Sequence, residues 1–183
     1  VSGAVEIGCH RGGWGANEIS RGVAWAPARQ FGGPVLKGGS HAGAMDKDLR
    51  QLGERMSKIM DAADGVGRAA PQIGVLRKVI VFQLDKELHV LVNPEITWRS
   101  EETITEPEGC LSLASLATDV ERASKVKVEG EDLEGNHQVL ELEGLHARIL
   151  QHEIAHLAGM MIIDRTSREH RRDLLSPLTP QNP

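Results

Sequence analysis

The feature of the sequence that most constrains its fold is a hydrophobic period that changes from helical to alternating and back to helical. Apolar side chains recur every three or four positions over residues 46–63, and Asp46 can cap the start of this predicted helix. The chain then alternates between apolar and polar side chains, which is typical of half-buried strands. Strands are predicted at residues 78–84, 89–94, 97–105, 125–130 and 138–143.

A second helix is predicted from Gly144 to about Gly159, where the period again becomes helical. Residues 134–136 read Glu-Gly-Asn and predict a turn, so the last two strands should pair as an antiparallel hairpin. Strands and helices do not alternate regularly, and a doubly wound parallel sheet is therefore not expected. The predicted fold class is α+β, with antiparallel β-strands and hairpins packed around a central C-terminal helix.

The 183 residues fit one domain, predicted over residues 31–175. Residues 1–30 show no apolar period and are interpreted as a poorly ordered tail, either leftover sequence or a targeting segment, and residues 176–183 as a frayed tail. The net charge of -5 argues against nucleic-acid binding, and no apolar run approaches the ~20 residues that span a bilayer. Two cysteines are too few for a disulfide framework, which indicates a reducing compartment.

The second helix carries the pattern His-Glu-x-x-His. His152 and His156 are four residues apart and share one helix face, so both can reach one metal ion. Glu153 lies about 100° round the helix from His152, close to the ion without being an obvious ligand. In metal-assisted hydrolysis the ion acidifies a water molecule and a nearby carboxylate takes up the proton. This helix therefore predicts a metal hydrolase.

A catalytic tetrahedral metal commonly has a third protein ligand. Downstream of the helix the candidates are Asp164 and His170, but Ile162 stands where the extended metalloprotease pattern needs a histidine, and His170 lies in a charged segment. Upstream, Cys110 lies in EPEGCLSL at residues 106–113, and a thiolate is a strong ligand for Zn²⁺ or Fe²⁺. Cys110 is the favoured third ligand, although a lone cysteine can also be a small buried residue.

Three motifs together resemble the peptide deformylase family. They are GVGRAAPQ at residues 65–72, EGCLS at 108–112 and QHEIAH at 151–156, in the family's order and at roughly its spacing. The resemblance covers roughly residues 30–172. It implies an enzyme that removes the formyl group from the N-terminal formylmethionine of newly made polypeptides and releases formate.

The resemblance also implies roles for individual residues. One divalent ion, Fe²⁺ with Zn²⁺ or Ni²⁺ as substitutes, would be held by Cys110, His152 and His156. Glu153 would be the general acid and base. These ligands and this carboxylate agree with the spacing of the helix motif.

Further residues follow from the same resemblance. The Gln72 side chain and the backbone N–H of Leu111 would stabilise the oxyanion, and Gly67 would let the substrate backbone approach as an added strand. Helix geometry independently predicts an apolar wall before His152. The methionine side chain is expected to contact Val66, Leu145, Ile149 and the His152 ring.

Two positions depart from the family pattern. Ala155 stands where the helix motif usually has Asp, and Arg68 stands where the glycine loop usually has an aliphatic residue. The implied partners are N-formylmethionyl nascent peptides and the ribosome exit region, with no DNA and no membrane, and the chain would be a monomer or weak dimer. The expected location is the bacterial cytoplasm, with a mitochondrion or plastid as the alternative.

Three other interpretations stay open at this point. The histidines can be ordinary polar residues on a partly exposed helix. The protein can be an endopeptidase with the same helix motif, although such enzymes rarely use a thiolate ligand. It can also be a deformylase-like protein with reduced or lost activity that serves as a peptide-binding module, an interpretation that Ala155 and Arg68 keep open.

Overall fold

The computed structural model describes residues 5–7, 34–61, 66–113 and 116–176. The helices are α1 (Lys47–Asp61), α2 (Gly144–Leu157) and α3 (Arg168–Leu175). The strands are β1 (Val5–Ile7), β2 (Gly67–Ala69), β3 (Val79–Leu84), β4 (Glu87–Arg99), β5 (Thr103–Cys110), β6 (Ala117–Ala123), β7 (Lys125–Glu131) and β8 (His137–Glu143).

The described strands form two sheets. The larger sheet is antiparallel and has the order β2–β3–β4–β7–β8. The smaller sheet has the order β1–β5–β6, in which β5 and β6 are antiparallel and β1 pairs in parallel with β5. The predicted α+β class is confirmed, and so is the hairpin formed by β7 and β8.

The larger sheet is covered by a helix on each face, which explains the nearly continuous apolar run of β3. Successive strand residues point to opposite faces. Ile80 and Phe82 are buried in one cluster with Leu150 of α2. Val79 and Val81 are buried in a second cluster that contains side chains of α1. The helix α2 is therefore packed inside the domain, and most of its side chains are buried.

Two boundaries follow from local hydrogen bonds. The Asp46 carboxylate accepts a hydrogen bond of 2.7 Å from the backbone N–H of Leu49, which confirms the predicted N-cap of α1. Between β4 and β5, Ser100 donates to the carbonyl of Glu102 at 2.8 Å. This turn lies within the strand predicted at residues 97–105. That prediction was wrong, because the segment contains the end of β4, the connection and the start of β5.

The strand β6 was not predicted because its inward positions are mostly polar. Thr118, Val120 and Arg122 are buried, so burial alternates along the strand although hydrophobicity does not. The structure also places the three residues of β1 within the predicted tail. The other predictions for residues 1–30 lie outside the described residues, as does the predicted C-terminal tail beyond Ser176. No helix in the described ranges is long and apolar enough to cross a membrane.

Candidate metal centre and active site

The helix α2 places both motif histidines inside the protein. His152 and His156 are 2% and 1% exposed, and their Nε2 atoms lie 3.2 Å apart. Their rings meet edge to face, with centroids 4.9 Å apart. The interpretation of these residues as ordinary polar residues on a partly exposed face is therefore wrong.

The strand β5 places Cys110 next to the two histidines. The Cys110 Sγ atom lies 3.4 Å from Nε2 of His156. One donor atom from each of Cys110, His152 and His156 lies within 4.8 Å of the others, and all three residues are buried. The downstream candidates for a third ligand are engaged elsewhere: Asp164 accepts from Arg171, and His170 lies 3.2 Å from the Thr118 hydroxyl.

The spacing of these donors fits a tetrahedral metal ion. Bonds of about 2.0–2.1 Å to nitrogen and about 2.3 Å to sulfur place two nitrogens about 3.3 Å apart and a nitrogen and a sulfur about 3.6 Å apart. The observed distances are 3.2 Å between the histidines and 3.4 Å between Cys110 and His156. The group therefore has the geometry of a three-ligand site.

The protonation states also fit metal binding. Burial lowers the pKa of both His152 and His156, so the rings are neutral and can each present a lone pair. The Nδ1 atom of His152 lies 3.0 Å from the Glu108 carboxylate and donates to it, which leaves Nε2 as the free lone pair. Burial raises the pKa of the Cys110 thiol to about 12. A thiolate at this position therefore requires a cation beside it.

Glu108 is the centre of a buried ionic network behind His152. Its carboxylate is fully buried and accepts two hydrogen bonds from Arg122, at 2.9 and 2.8 Å, and one from Arg148 at 2.8 Å. Burial would raise the pKa of Glu108, but hydrogen bonds from Arg122 and His152 outweigh it and lower the pKa to about 2. The carboxylate is therefore ionised and fixes the tautomer and orientation of His152.

The sequence pattern indicates this role only weakly, since by itself Glu108 is equally well interpreted as a residue that orients a loop. Glu108 and Cys110 are two residues apart on one strand, so both side chains point to the same face. With Cys110 as a candidate ligand, this spacing could have placed Glu108 beside the metal site. Its partners Arg122 and Arg148 carry no such signal, because they come from β6 and α2.

We expect Glu108→Gln to weaken metal binding by about 10- to 100-fold, the usual loss when a group that orients a ligand is changed. The amide cannot act as a charged acceptor for both His152 and Arg122. The measurement is metal affinity by competition with a chelator, recorded on the folded protein alongside its Tm. Glu106→Gln is the matched control, since Glu106 also pairs with Arg148 but lies at the exposed part of β5. Equal metal affinity in the two variants would contradict the role of Glu108.

Glu153 lies in a dry position next to the ligands. It is 1% exposed, and neither carboxylate oxygen has a hydrogen-bond partner within the described residues. Burial is the largest cause that raises its pKa to about 8, and the charge of Glu108 adds to it, whereas Arg68 and Arg122 act in the opposite direction. A carboxylate with this pKa can both accept and return a proton near neutral pH.

Gly67 is required by the position of Glu153. A Cβ atom on Gly67 would lie 2.6 Å from Glu153 Oε1 and 3.0 Å from Cγ2 of Ile149. A larger residue would therefore push Glu153 out of place. This reason differs from the one predicted, which was access for a substrate backbone.

The structure also describes the other predicted site residues. The Gln72 side chain is buried, and its Oε1 accepts a hydrogen bond of 2.8 Å from the backbone N–H of Ala69. Leu111 begins a 3-10 turn directly after Cys110. Ile149 is buried, and Val66 packs against the same apolar cluster. Leu145 is 44% exposed and lines a separate hollow with Glu106 and Arg148, so the structure does not bring it into that cluster.

The chain matches known proteins over most of its length. The family model described as polypeptide deformylase matches residues 26–172. A peptide deformylase of Desulfosudis oleivorans is 43% identical over 143 residues, which cover 75% of this chain and 83% of that protein.

Solved structures give the same result. The crystal structure of peptide deformylase from Thermus thermophilus has 39% identity and a TM-score of 0.76, and the match covers 84% of this chain and 92% of that one. A peptide deformylase from Synechococcus elongatus, solved in complex with actinonin, has 34% identity and a TM-score of 0.77, with 85% of this chain and 90% of that one covered. The chain belongs to the polypeptide deformylase family of metal-dependent enzymes.

Proposed function

We propose that the protein hydrolyses the N-formyl group of peptides that begin with N-formylmethionine and releases formate. The observation that carries this proposal is the buried Glu153 carboxylate, which has no partner within the described residues and lies beside a three-donor metal site. An unpaired buried carboxylate is costly and is expected where a proton is moved. The family relationship supports the choice of a formyl peptide as the substrate.

Cys110, His152 and His156 would hold the metal ion, which supplies Lewis acidity to the carbonyl and lowers the pKa of water. Glu153 accepts the proton of the attacking water on a carboxylate oxygen and returns it to the leaving amine. Glu108 keeps His152 in the ligand tautomer throughout. We propose Fe²⁺ as the native ion, with Zn²⁺ or Ni²⁺ as substitutes, because one thiolate and two imidazoles suit all three.

Gln72 and Leu111 would supply the donors for the oxyanion. The Gln72 Oε1 atom is already occupied by the N–H of Ala69, which fixes the orientation of the amide. Its Nε2 group makes no hydrogen bond to the described residues and is available to a developing negative charge. The backbone N–H of Leu111 follows Cys110 directly, so it lies close to the metal ligand.

The strand β2 offers an edge to the substrate. It is the first strand of the larger sheet and pairs only with β3 among the described strands. A peptide can add to such an edge by main-chain hydrogen bonds. The methionine side chain would then contact Val66 and Ile149, with Leu145 as a further predicted contact on the exposed side of α2.

Other parts of the proposal concern the cell. We propose newly made polypeptides as the substrates, with the ribosome exit region as a site of encounter and a monomer or weak dimer as the working form. The proposed location is the bacterial cytoplasm, with a mitochondrion or plastid as the alternative.

The decisive experiment is anaerobic purification with metal analysis, followed by a formate-release assay on formyl-Met-Ala-Ser. Anaerobic handling matters because Fe²⁺ beside a thiolate is easily oxidised. We expect about one metal ion per chain and release of formate, with no cleavage of casein. Casein cleavage without formate release would favour the endopeptidase. A metal-replete protein that is inert on every formyl-methionyl peptide would favour the peptide-binding module.

We expect Gln72→Leu to lose about 10²-fold in kcat, the order seen when one oxyanion donor is removed. Gln72→Glu is a sharper variant, because its carboxylate can still accept the hydrogen bond from Ala69 while the Nε2 donor is lost. Both variants should lower kcat with little change in KM. Gln51→Leu, on the exposed face of α1, is the control. A change in KM alone would assign Gln72 to substrate binding.

A further inference from the structure

A cavity on another side of α2 is lined by three arginines. It has a volume of about 410 Å³ and lies along Gln151, Ala155 and Ala158, which share one helix face at spacings of four and three residues. We call it the arginine pocket, after Arg99, Arg122 and Arg165, which also line it. It is separate from the cluster of Cys110, His152 and His156, although the same helix bounds both.

The positive charge of the arginine pocket is only partly compensated. Arg122 is 4% exposed and pairs with Glu108 outside the cavity. Arg99 and Arg165 make no side-chain hydrogen bond or ion pair with the described residues. The acid that lines the pocket is Glu121, and its carboxylate accepts a hydrogen bond of 2.6 Å from Thr103. Three arginines and one glutamate thus line the pocket, and of the three arginines only Arg122 is paired with a carboxylate of the described residues.

The arginines are close enough to affect one another. The pKa of Arg165 is lowered first by burial and then by the charges of Arg122 and Arg99, whereas Glu108 acts in the opposite direction. Arg122 also has unused donors. Three of its five N–H groups donate to Glu108 and to the Gln151 carbonyl, which leaves two. The cavity therefore combines repelling cations with free donors, an arrangement that an anion stabilises.

The helix wall of the pocket cannot supply that anion. Ala155 is 6% exposed and ends at its Cβ atom. The Gln151 amide is neutral, and both of its Nε2 donors are used by the carbonyls of Ala123 and Ala147 while its Oε1 accepts from the N–H of Ala123. No described side chain on this wall carries a negative charge.

We propose that the arginine pocket is a binding site for a small carboxylate anion. Planar guanidinium groups match the two oxygens of a carboxylate and bind it through paired, charge-assisted hydrogen bonds. The bound anion would neutralise Arg165 and hold Arg122 in the position from which Arg122 fixes Glu108. Anion binding is therefore coupled to the metal site through Arg122, Glu108 and His152.

The test is calorimetric titration of the metal-loaded protein with sodium acetate, and separately with sodium formate, at constant ionic strength set by sodium chloride. We expect saturable binding that Arg165→Gln weakens by about tenfold, the loss expected for one charge-assisted hydrogen bond. Arg55→Gln removes the same charge from the exposed surface of α1 and should bind as the parent does. Acetate bound at the metal centre itself would survive in Arg165→Gln, and equal binding in that variant and the parent would overturn the proposal. Tighter binding of inorganic phosphate than of acetate would overturn the choice of a carboxylate.

Ala155→Asp provides a second, independent test, because it places a carboxylate of the protein in the pocket. We expect this variant to lose acetate binding and to have a higher Tm than the parent. Ala155→Asn introduces a side chain of the same size as aspartate but without its charge, and the Tm of this variant should not exceed the parent's. If the two variants melt alike, the arginines need no anion and the proposal fails.

The same variant also reports on coupling to the metal site. With no acetate added, Ala155→Asp should bind the metal more tightly or show a higher kcat/KM for formyl-Met-Ala-Ser, by up to about 10- to 100-fold. The kcat/KM readout rests on the proposed function, whereas acetate binding and Tm do not. A protein that binds acetate as expected but releases no formate would contradict the proposed function alone. A protein that releases formate but binds no acetate would contradict the arginine pocket alone.

Discussion

Glu153→Ala should lower kcat by about 10²- to 10⁴-fold, the contribution of a positioned acid–base group, while the metal content stays at the parent's value. Glu153 is close to the ligands but is not one of the three grouped donors. Its carboxylate is buried, and burial raises its pKa to about 8, so it can take up a proton at neutral pH and release it within one turnover. The substitution removes the proton carrier and leaves the three predicted metal ligands in place.

The same variant makes a distinctive prediction for stability. Because neither oxygen of Glu153 has a partner within the described residues, its burial opposes folding, and Glu153→Ala should not lower the Tm. Glu153→Gln keeps the volume and should be as inactive as Glu153→Ala. Glu141→Ala, on exposed β8, controls for loss of one carboxylate and should keep parental activity, since its ion pair with Lys127 is at the surface. Near-parental kcat in either Glu153 variant would place the base elsewhere.

Cys110→Ala should abolish stable metal binding. Its loss of metal affinity should exceed the factor of about 10 to 100 that is expected when only an orienting group is changed. The thiol is buried 3.4 Å from His156 Nε2, and without it two imidazoles remain as protein donors. Formate release should fall with metal occupancy. The apo protein should stay folded, because a small side chain is replaced by another in an apolar cluster.

Cys9→Ala is the matched control for Cys110→Ala, since the chain has two cysteines. Metal analysis of anaerobically purified protein should find about one ion per chain in the parent and in Cys9→Ala, and little or none in Cys110→Ala. If Cys110→Ala bound the metal ion with the parent's affinity, another residue would be the third ligand. In the structure Asp164 and His170 are poor substitutes, because both already bond to other side chains.

The elements with a strong local pattern could be predicted from the sequence. The helices α1 and α2 and the hairpin of β7 and β8 each repeat an apolar position at a fixed period, and this period is a property of neighbouring residues alone. The approach of His152 to His156 follows in the same way from one turn of helix. By contrast, β2 is only three residues long and β6 buries polar side chains, so neither shows a period that predicts a strand.

The sequence indicated Cys110 as a candidate ligand but could not show that it lies next to the two histidines. It is separated from His156 by 46 residues, and their contact depends on how the smaller sheet packs against α2. The same is true of Glu108, whose partners Arg122, Arg148 and His152 come from β6 and α2.

The sequence by itself determined the period of each helix and hairpin, the donor types and the spacing of the helix motif, because these depend on residues close together in the chain. Only the tertiary structure decided which elements pack against one another. That choice set the tautomer of His152, the dry surroundings of Glu153 and the need for glycine at Gly67. It also gathered Arg99, Arg122 and Arg165 round Ala155. These features depend on electrostatic and steric contacts between distant segments, and such contacts exist only once the sheets and α2 have packed together.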